Sequence, residues 1–203
     1  MLDVRGLTKT FGGVVVIDEL SLSVERGEVV ALVGANGVGK TTTLRAVVGL
    51  ESVDAGEVLL DGETFDERRA DVRRRVCALL DDQAWLPETT VAEHLALYAR
   101  AFGADPGVLL DALDALEIAH IGDRMPGTLS SGQTQRFRLA QALVRPWDLL
   151  LLDEPEQRLD VDGRAWLGRF LGECADGGGG VLMASHDPTL LDASGARTVV
   201  IER

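Results

Sequence analysis

Residues 28–50, "EVVALVGANGVGKTTTLRAVVGL", leave little choice of local structure. "EVVALV" reads as a short buried strand, and "TTTLRAVVGL" opens a helix. Between them Gly34 and Gly39, with Lys40 and Thr41, satisfy the spacing G-x-x-x-x-G-K-S/T. Glycines let successive backbone N–H groups turn toward one anion, and the helix N-terminus adds its dipole. Of the 20 Lys and Arg residues only Lys9 and Lys40 are lysine. Lysine offers a compact ammonium on a thin stem, arginine a wide planar fork, so a narrow glycine-lined cavity admits the first and refuses the second. The stretch therefore reads as a phosphate cradle. Lys40 would bridge the β- and γ-phosphates of a nucleotide, and Thr41 would place its hydroxyl on Mg²⁺.

A metal on those phosphates calls for a carboxylate from elsewhere in the chain. "LLLLDEP" supplies a run of apolar residues and then Asp153 at a strand's end, where it can join the Mg²⁺ shell. Glu154 follows directly, placed to orient and deprotonate an attacking water. Upstream, "LSSGQTQRFRLAQALV" at 129–144 puts Ser130 and Gly132 at the start of a helix. A serine there caps orphan N–H groups or, with Gly132, offers donors to an anion.

Short β-branched runs alternate with longer amphipathic ones, the pattern of an α/β chain. Strands are expected near 2–7, 14–24, 28–33, 57–60, 76–80, 149–152, 181–184 and 198–201, and helices near 40–49, 91–102, 107–117, 131–144, 160–174 and 188–193. Residues 84–145 are almost strand-free, which suggests a helical subdomain inserted in an α/β core. The Arg-rich "ERRADVRRR" at 67–75 reads as a solvated face, given the interspersed Glu67 and Asp71. His94 and His120 fall in helix-like segments and read as structural.

The net charge of −13 argues against a nucleic-acid surface and against docking on anionic lipid. No apolar run approaches the roughly 20 residues that span a bilayer. Cys77 and Cys174 are isolated, which fits a reducing cytosolic compartment. "MLDVRGL" has no charged-then-apolar signal segment, and the chain ends soon after His186, so neither a leader nor an appended regulatory domain is expected.

Taken together, these motifs resemble those of the nucleotide-binding domain of ATP-binding cassette (ABC) proteins over essentially the whole length. "GANGVGKTT", with Gly34, Asn36, Gly37, Gly39, Lys40, Thr41 and Thr42, resembles the Walker A motif, "LLLLDEP" Walker B, and "LSSGQ" the signature motif. "QRLD", ending in Asp160, resembles the D-loop, and "VLMASHD" places His186 like the switch histidine. Phe11 in "LTKTFGG" matches the aromatic that stacks on adenine. The resemblance implies one domain over 1–203: a RecA-like P-loop NTPase core of the ABC type, an N-terminal antiparallel β-subdomain, and a helical subdomain at about 84–145.

It also implies a head-to-tail dimer, in which ATP on Walker A of one copy is completed by Ser130 and Gly132 of the other. His186 would contact the γ-phosphate. Two departures stand out. Ser131 replaces the commoner second glycine of the signature, and the loop after "VCALL" lacks the family's glutamine in the expected place. Laid ungapped against "LPETTVAEHL", that position falls on Asp81, which joins Thr41 and Asp153 as a metal-side residue; Gln83 comes two residues later as the alternative.

The implied function is ATP hydrolysis to ADP and phosphate by an ABC transporter subunit, on the cytoplasmic face of the membrane. It would drive a separate integral permease subunit, with a second copy of itself or a homologous ATPase domain as further partner. "NG" in the loop and the compact size favour an exporter type. The alternative is a soluble ABC-type ATPase acting in cofactor or complex assembly. A P-loop small-molecule kinase would leave "LSSGQ" unexplained.

Overall fold

A computed structural model describes residues 1–80, 85–86, 88–105 and 107–202. Its centre is a parallel sheet in the order β6 (Val76–Leu79), β7 (Leu149–Asp153), β8 (Gly180–Ala184), β3 (Val29–Val33), β9 (Arg197–Val200). β7 and β8 are buried along their whole length, as strands covered on both faces must be. Side chains alternate between two cores with period 2. On one face Val30, Leu32, Leu149, Leu151 and Leu182 pack with Leu44 and Val47 of α1 (Lys40–Val47). On the other, Val29, Ala31, Leu150, Leu152, Val181 and Met183 meet Leu95, Phe137, Leu167 and Leu171.

A second, antiparallel sheet covers the α1 side, in the order β2 (Val14–Val24), β1 (Leu2–Phe11), β4 (Ala55–Leu60), β5 (Glu63–Thr64). Its Leu2, Val4, Leu7, Ile17, Leu22 and Val24 join the same core as α1. β1 runs four residues beyond its expected end. Register shifts between Val4 and Leu7, and again as far as Thr10, bend the strand without ending its pairing with β2. That extension carries Phe11 to the edge of the core.

No strand occurs among the described residues between β6 and β7. The segment holds α3 (Val91–Phe102), α4 (Val108–Ala115), two single 3-10 turns at Ala119–Ile121 and Pro126–Thr128, and α5 (Ser131–Leu143). Capping boxes start both α3, from Thr90 and Glu93, and α5, from Ser130 and Gln133. α6 (Val161–Asp176) and α7 (Pro188–Ser194) close the second face.

One helix has no counterpart in the sequence pattern. α2 (Ala70–Arg75) lies inside the Arg-rich stretch and buries only Val72, so it carries too little apolar periodicity to be read. It is held electrostatically. Arg73, Arg74 and Arg75 oppose the negative end of its dipole, and the Arg145 guanidinium donates to the carbonyls of Arg73 and Arg74 at 2.7 and 3.0 Å. Arg68 pairs with Asp66, Arg69 with Glu63 and Asp71, and Arg75 with Asp148, which makes this a self-neutralised face. No helix among the described residues is long and apolar enough to cross a membrane.

Leu44 is wholly buried between the two sheets. Leu44→Ala should lower unfolding free energy by about 2–5 kcal/mol in denaturant titration, as buried Leu truncations do.

Candidate nucleotide site

At the C-terminal edge of β3 the chain turns through Gly34–Gly39 into α1. Gly34 and Gly39 stand at φ 155° and 118°, and added Cβ atoms would come within 2.5 Å of the Ile201 carbonyl oxygen and 2.7 Å of the Val16 carbonyl oxygen. Both obstacles are backbone, so neither can yield. Lys40, the first residue of α1, is buried, and its Nζ donates to the Gly34 and Ala35 carbonyls at 2.8 and 3.1 Å. The ammonium thus sits over the loop, at a helix N-terminus with no acidic residue in its first turn and no side-chain cap. The positive end of the helix is left available to an anion.

A cleft of about 340 Å³ opens there. The loop and helix line it with Asn36, Gly37, Gly39, Lys40, Thr41 and Thr42, while Phe11, Val16 and Glu154 close its sides. Phe11 is 45% exposed, and the Lys9 Nζ lies 4.8 Å from its ring centroid. Lys9 is itself buried, pairing with Glu51 at 2.8 Å and donating to Ser52 Oγ at 3.1 Å. Both lysines therefore occupy tight protein-lined slots. Sequence reasoning singled out Lys40 but passed over Lys9, whose ring partner two residues on was the available signal.

The neighbouring strands bring acids to the same sheet edge. Asp153, buried, ends β7 in register with Ala184 of β8, and Ala184 is in register with Leu32 of β3. Glu154 follows at φ 44°, its N–H donating to the Ala184 carbonyl at 2.9 Å, and its half-buried side chain reaches the cleft. A left-handed glutamate is strained, and such strain concentrates at functional positions. His186 is exposed, two residues beyond β8, between buried Ser185 and Asp187, the N-cap of α7. Burial pushes the Asp187 carboxyl up, but N–H groups of α7 and Arg164 outweigh it and hold it below the usual carboxylate range.

Ser130 caps α5, accepting from Gln133 N at 3.3 Å, with Gly132 in the first turn; a Cβ on Gly132 would lie 3.1 Å from the Arg158 carbonyl. From the same helix Arg136 donates to both Asp160 oxygens at 2.9 and 3.1 Å. The Gly163 N–H and this guanidinium hold Asp160 below the ordinary carboxylate range as it caps α6. Among the described residues, Gly34, Ser130, Gly132, Asp153, Asp160 and His186 do not line the cleft. Asp81 and Gln83 lie outside the described residues. His94 is buried against Trp85 and Phe137, and burial lowers its pKa, while His120 is exposed in a 3-10 turn. Neither belongs to the cleft.

A protein-family profile described as "ABC transporter" matches residues 17–157. The chain belongs to the ABC transporter family. It is 44% identical over 179 residues to the sulfate/thiosulfate import ATP-binding protein CysA of Bordetella pertussis, matching 84% of this chain and 50% of that protein. The chain thus spans about half the length of that relative. It is 35% identical to the SkfA peptide export ATP-binding protein SkfE of Bacillus subtilis, over 99% of this chain and 85% of the relative. A solved structure of an ATP binding subunit of an ABC transporter superposes with a TM-score of 0.89 at 26% identity, over all of this chain and 86% of that one. The architecture is the ABC-type P-loop NTPase fold with antiparallel and helical subdomains.

Such ABC ATPase domains bind ATP with Mg²⁺; here the glycine loop, Lys40 and the α1 N-terminus fit the phosphates, and Thr41 lines the same cleft. The loop has no room for a Cβ atom at Gly34 or Gly39, and the helix end carries no acid. Among the described residues no three His, Cys, Asp or Glu side chains form a metal cage. Lys40→Arg should raise the nucleotide Kd at least about tenfold in equilibrium binding, because a wide guanidinium would replace a compact ammonium that is already buried in a protein-lined slot. Gly39→Ala should lose binding as well, by pushing the loop off Val16.

Proposed function

We propose that this chain is the ATP-binding and ATP-hydrolysing subunit of an ABC transporter, driving a separate membrane permease through ATP-dependent dimerisation. The carrying observation is the cleft in which Lys40, Thr41 and a strained Glu154 meet under an exposed aromatic, Phe11. Phe11 offers a ring face for adenine. The loop N–H groups and Lys40 hold the β- and γ-phosphates. Thr41 and Asp153 would hold Mg²⁺, which would offset phosphate charge. Glu154 orients the attacking water and accepts its proton, and His186 steadies the γ-phosphate.

Ser130 and Gly132 stand at a helix N-terminus outside the cleft, which supports a role in completing the site of a second copy. Asp160, tied to the same helix through Arg136, borders that surface. Asp81, or Gln83 in its place, would serve the metal side. The workplace is the cytoplasmic face of the membrane, as a peripheral subunit. Export is the favoured direction, supported by the SkfE relative, which aligns over 99% of this chain and 85% of its own length.

Glu154→Gln should retain ATP binding and cut kcat by roughly a hundredfold or more, since an amide orients water without taking its proton. With ATP and Mg²⁺ the same variant should elute as a dimer in sizing chromatography. Wild-type turnover in this variant would remove Glu154 from the proposed chemistry.

A further inference from the structure

Glu156 stands in the turn after β7, three residues beyond Asp153, and is only 7% exposed. Its Oε1 accepts from the Ser185 hydroxyl at 2.6 Å, whereas its equally buried Oε2 has no hydrogen-bond partner among the described residues. No ion pair to Glu156 occurs among those residues either. Leaving a carboxyl oxygen buried and unmatched is costly, and an apolar side chain would serve the packing better. What Glu156 holds must therefore explain it.

It holds Ser185, which is wholly buried. The Ser185 hydroxyl donates its one proton to Glu156 and accepts from the Asp187 N–H at 3.2 Å, while the Ser185 N–H bonds the Leu32 carbonyl at 3.3 Å. His186 lies between these two tethered residues. Its ring is exposed and makes no hydrogen bond among the described residues, so the backbone on either side decides its aim. Asp187 is fixed in turn, accepting from the N–H groups of Thr189 and Leu190 at 2.9 and 3.2 Å. Glu156 also shares a tight turn with Glu154, closed by the Gln157 N–H on the Glu154 carbonyl at 3.1 Å. One short hydrogen bond thus joins the turn carrying Glu154 to the connection between β8 and α7 that carries His186.

We propose that Glu156 is a positioning residue that sets where His186 stands relative to Glu154, acting through the Ser185 hydroxyl. The inference rests on the roles given to His186 and Glu154 above. The position matters because misplacing a catalytic group by a fraction of an ångström to one ångström costs rate far more than binding. Glu156→Gln keeps an oxygen for the Ser185 hydroxyl; Glu156→Ala does not.

The test measures kcat and KM for ATP in Glu156→Ala, Glu156→Gln and Ser185→Ala, each alone and combined with His186→Ala. Glu156→Ala and Ser185→Ala should each lower kcat about tenfold with KM within about twofold, and Glu156→Gln should recover most of the loss. In the His186→Ala background Glu156→Ala should cost less than about twofold more, since a residue acting through His186 has nothing left to position. An equal kcat loss in both backgrounds, or KM rising in step, makes Glu156 a packing residue and overturns the inference alone. Unchanged turnover in His186→Ala overturns the role given to that histidine and takes this inference with it. Should Glu156→Ala fail to fold, Ser185→Ala carries the same comparison.

Discussion

Two backbone contacts pin the glycine loop: Gly34 lies against the Ile201 carbonyl and Gly39 against the Val16 carbonyl. Ile201 follows the last strand of the parallel sheet, and Val16 belongs to the antiparallel sheet. The loop is wedged between the two layers, and no side chain larger than hydrogen is tolerated at either point. Every other feature of the site depends on that wedge. It seats α1 between the sheets, aims the helix N-terminus into the cleft and presses the Lys40 ammonium onto loop carbonyls. A phosphate can compete for that ammonium without a large rearrangement, because the donor is already desolvated and in place.

The second constraint is the level edge of the parallel sheet. Leu32, Asp153 and Ala184 lie in register across three neighbouring strands, so the residues that follow them emerge together. From β3 comes the glycine loop, from β7 the pair Asp153 and Glu154, and from β8 Ser185 and His186. Ligand sites at the carboxyl ends of open parallel strands are the general expectation for such sheets. At this edge polar residues are locked to one another by hydrogen bonds between neighbouring strand ends, as the Ser185 hydroxyl is to Glu156.

Charge use follows a division of labour between the two cations. Arginine forks handle the surface and the joints: Arg68 and Arg69 pair with nearby acids, Arg145 gathers the carbonyls at the end of α2, and Arg136 links α5 to Asp160. The two lysines sit in slots, one over the loop and one beside Phe11. A planar fork suits several carbonyl or carboxylate oxygens at once, whereas a point charge suits a confined pocket.

Of the cleft, the glycine loop was legible in sequence order, because its spacing imposes a local conformation; the apolar run before Asp153 and the cap at Ser130 impose local conformations too, but outside the cleft lining. By itself the sequence determined the alternation of strands and helices, the strand-turn-helix around Lys40 and the strand-free stretch before β7. Periodicity could not reveal α2 and β5, which bury almost nothing, or the extension of β1 through shifted register. Only the tertiary structure decided that Lys9 packs beside the Phe11 ring, that Glu154 turns into a left-handed conformation, and that Glu156 meets Ser185 twenty-nine residues away. Those outcomes depend on which strands become neighbours and at what register. Strand pairing at long sequence separation is settled by the shared burial of both sheet faces, which no local pattern encodes.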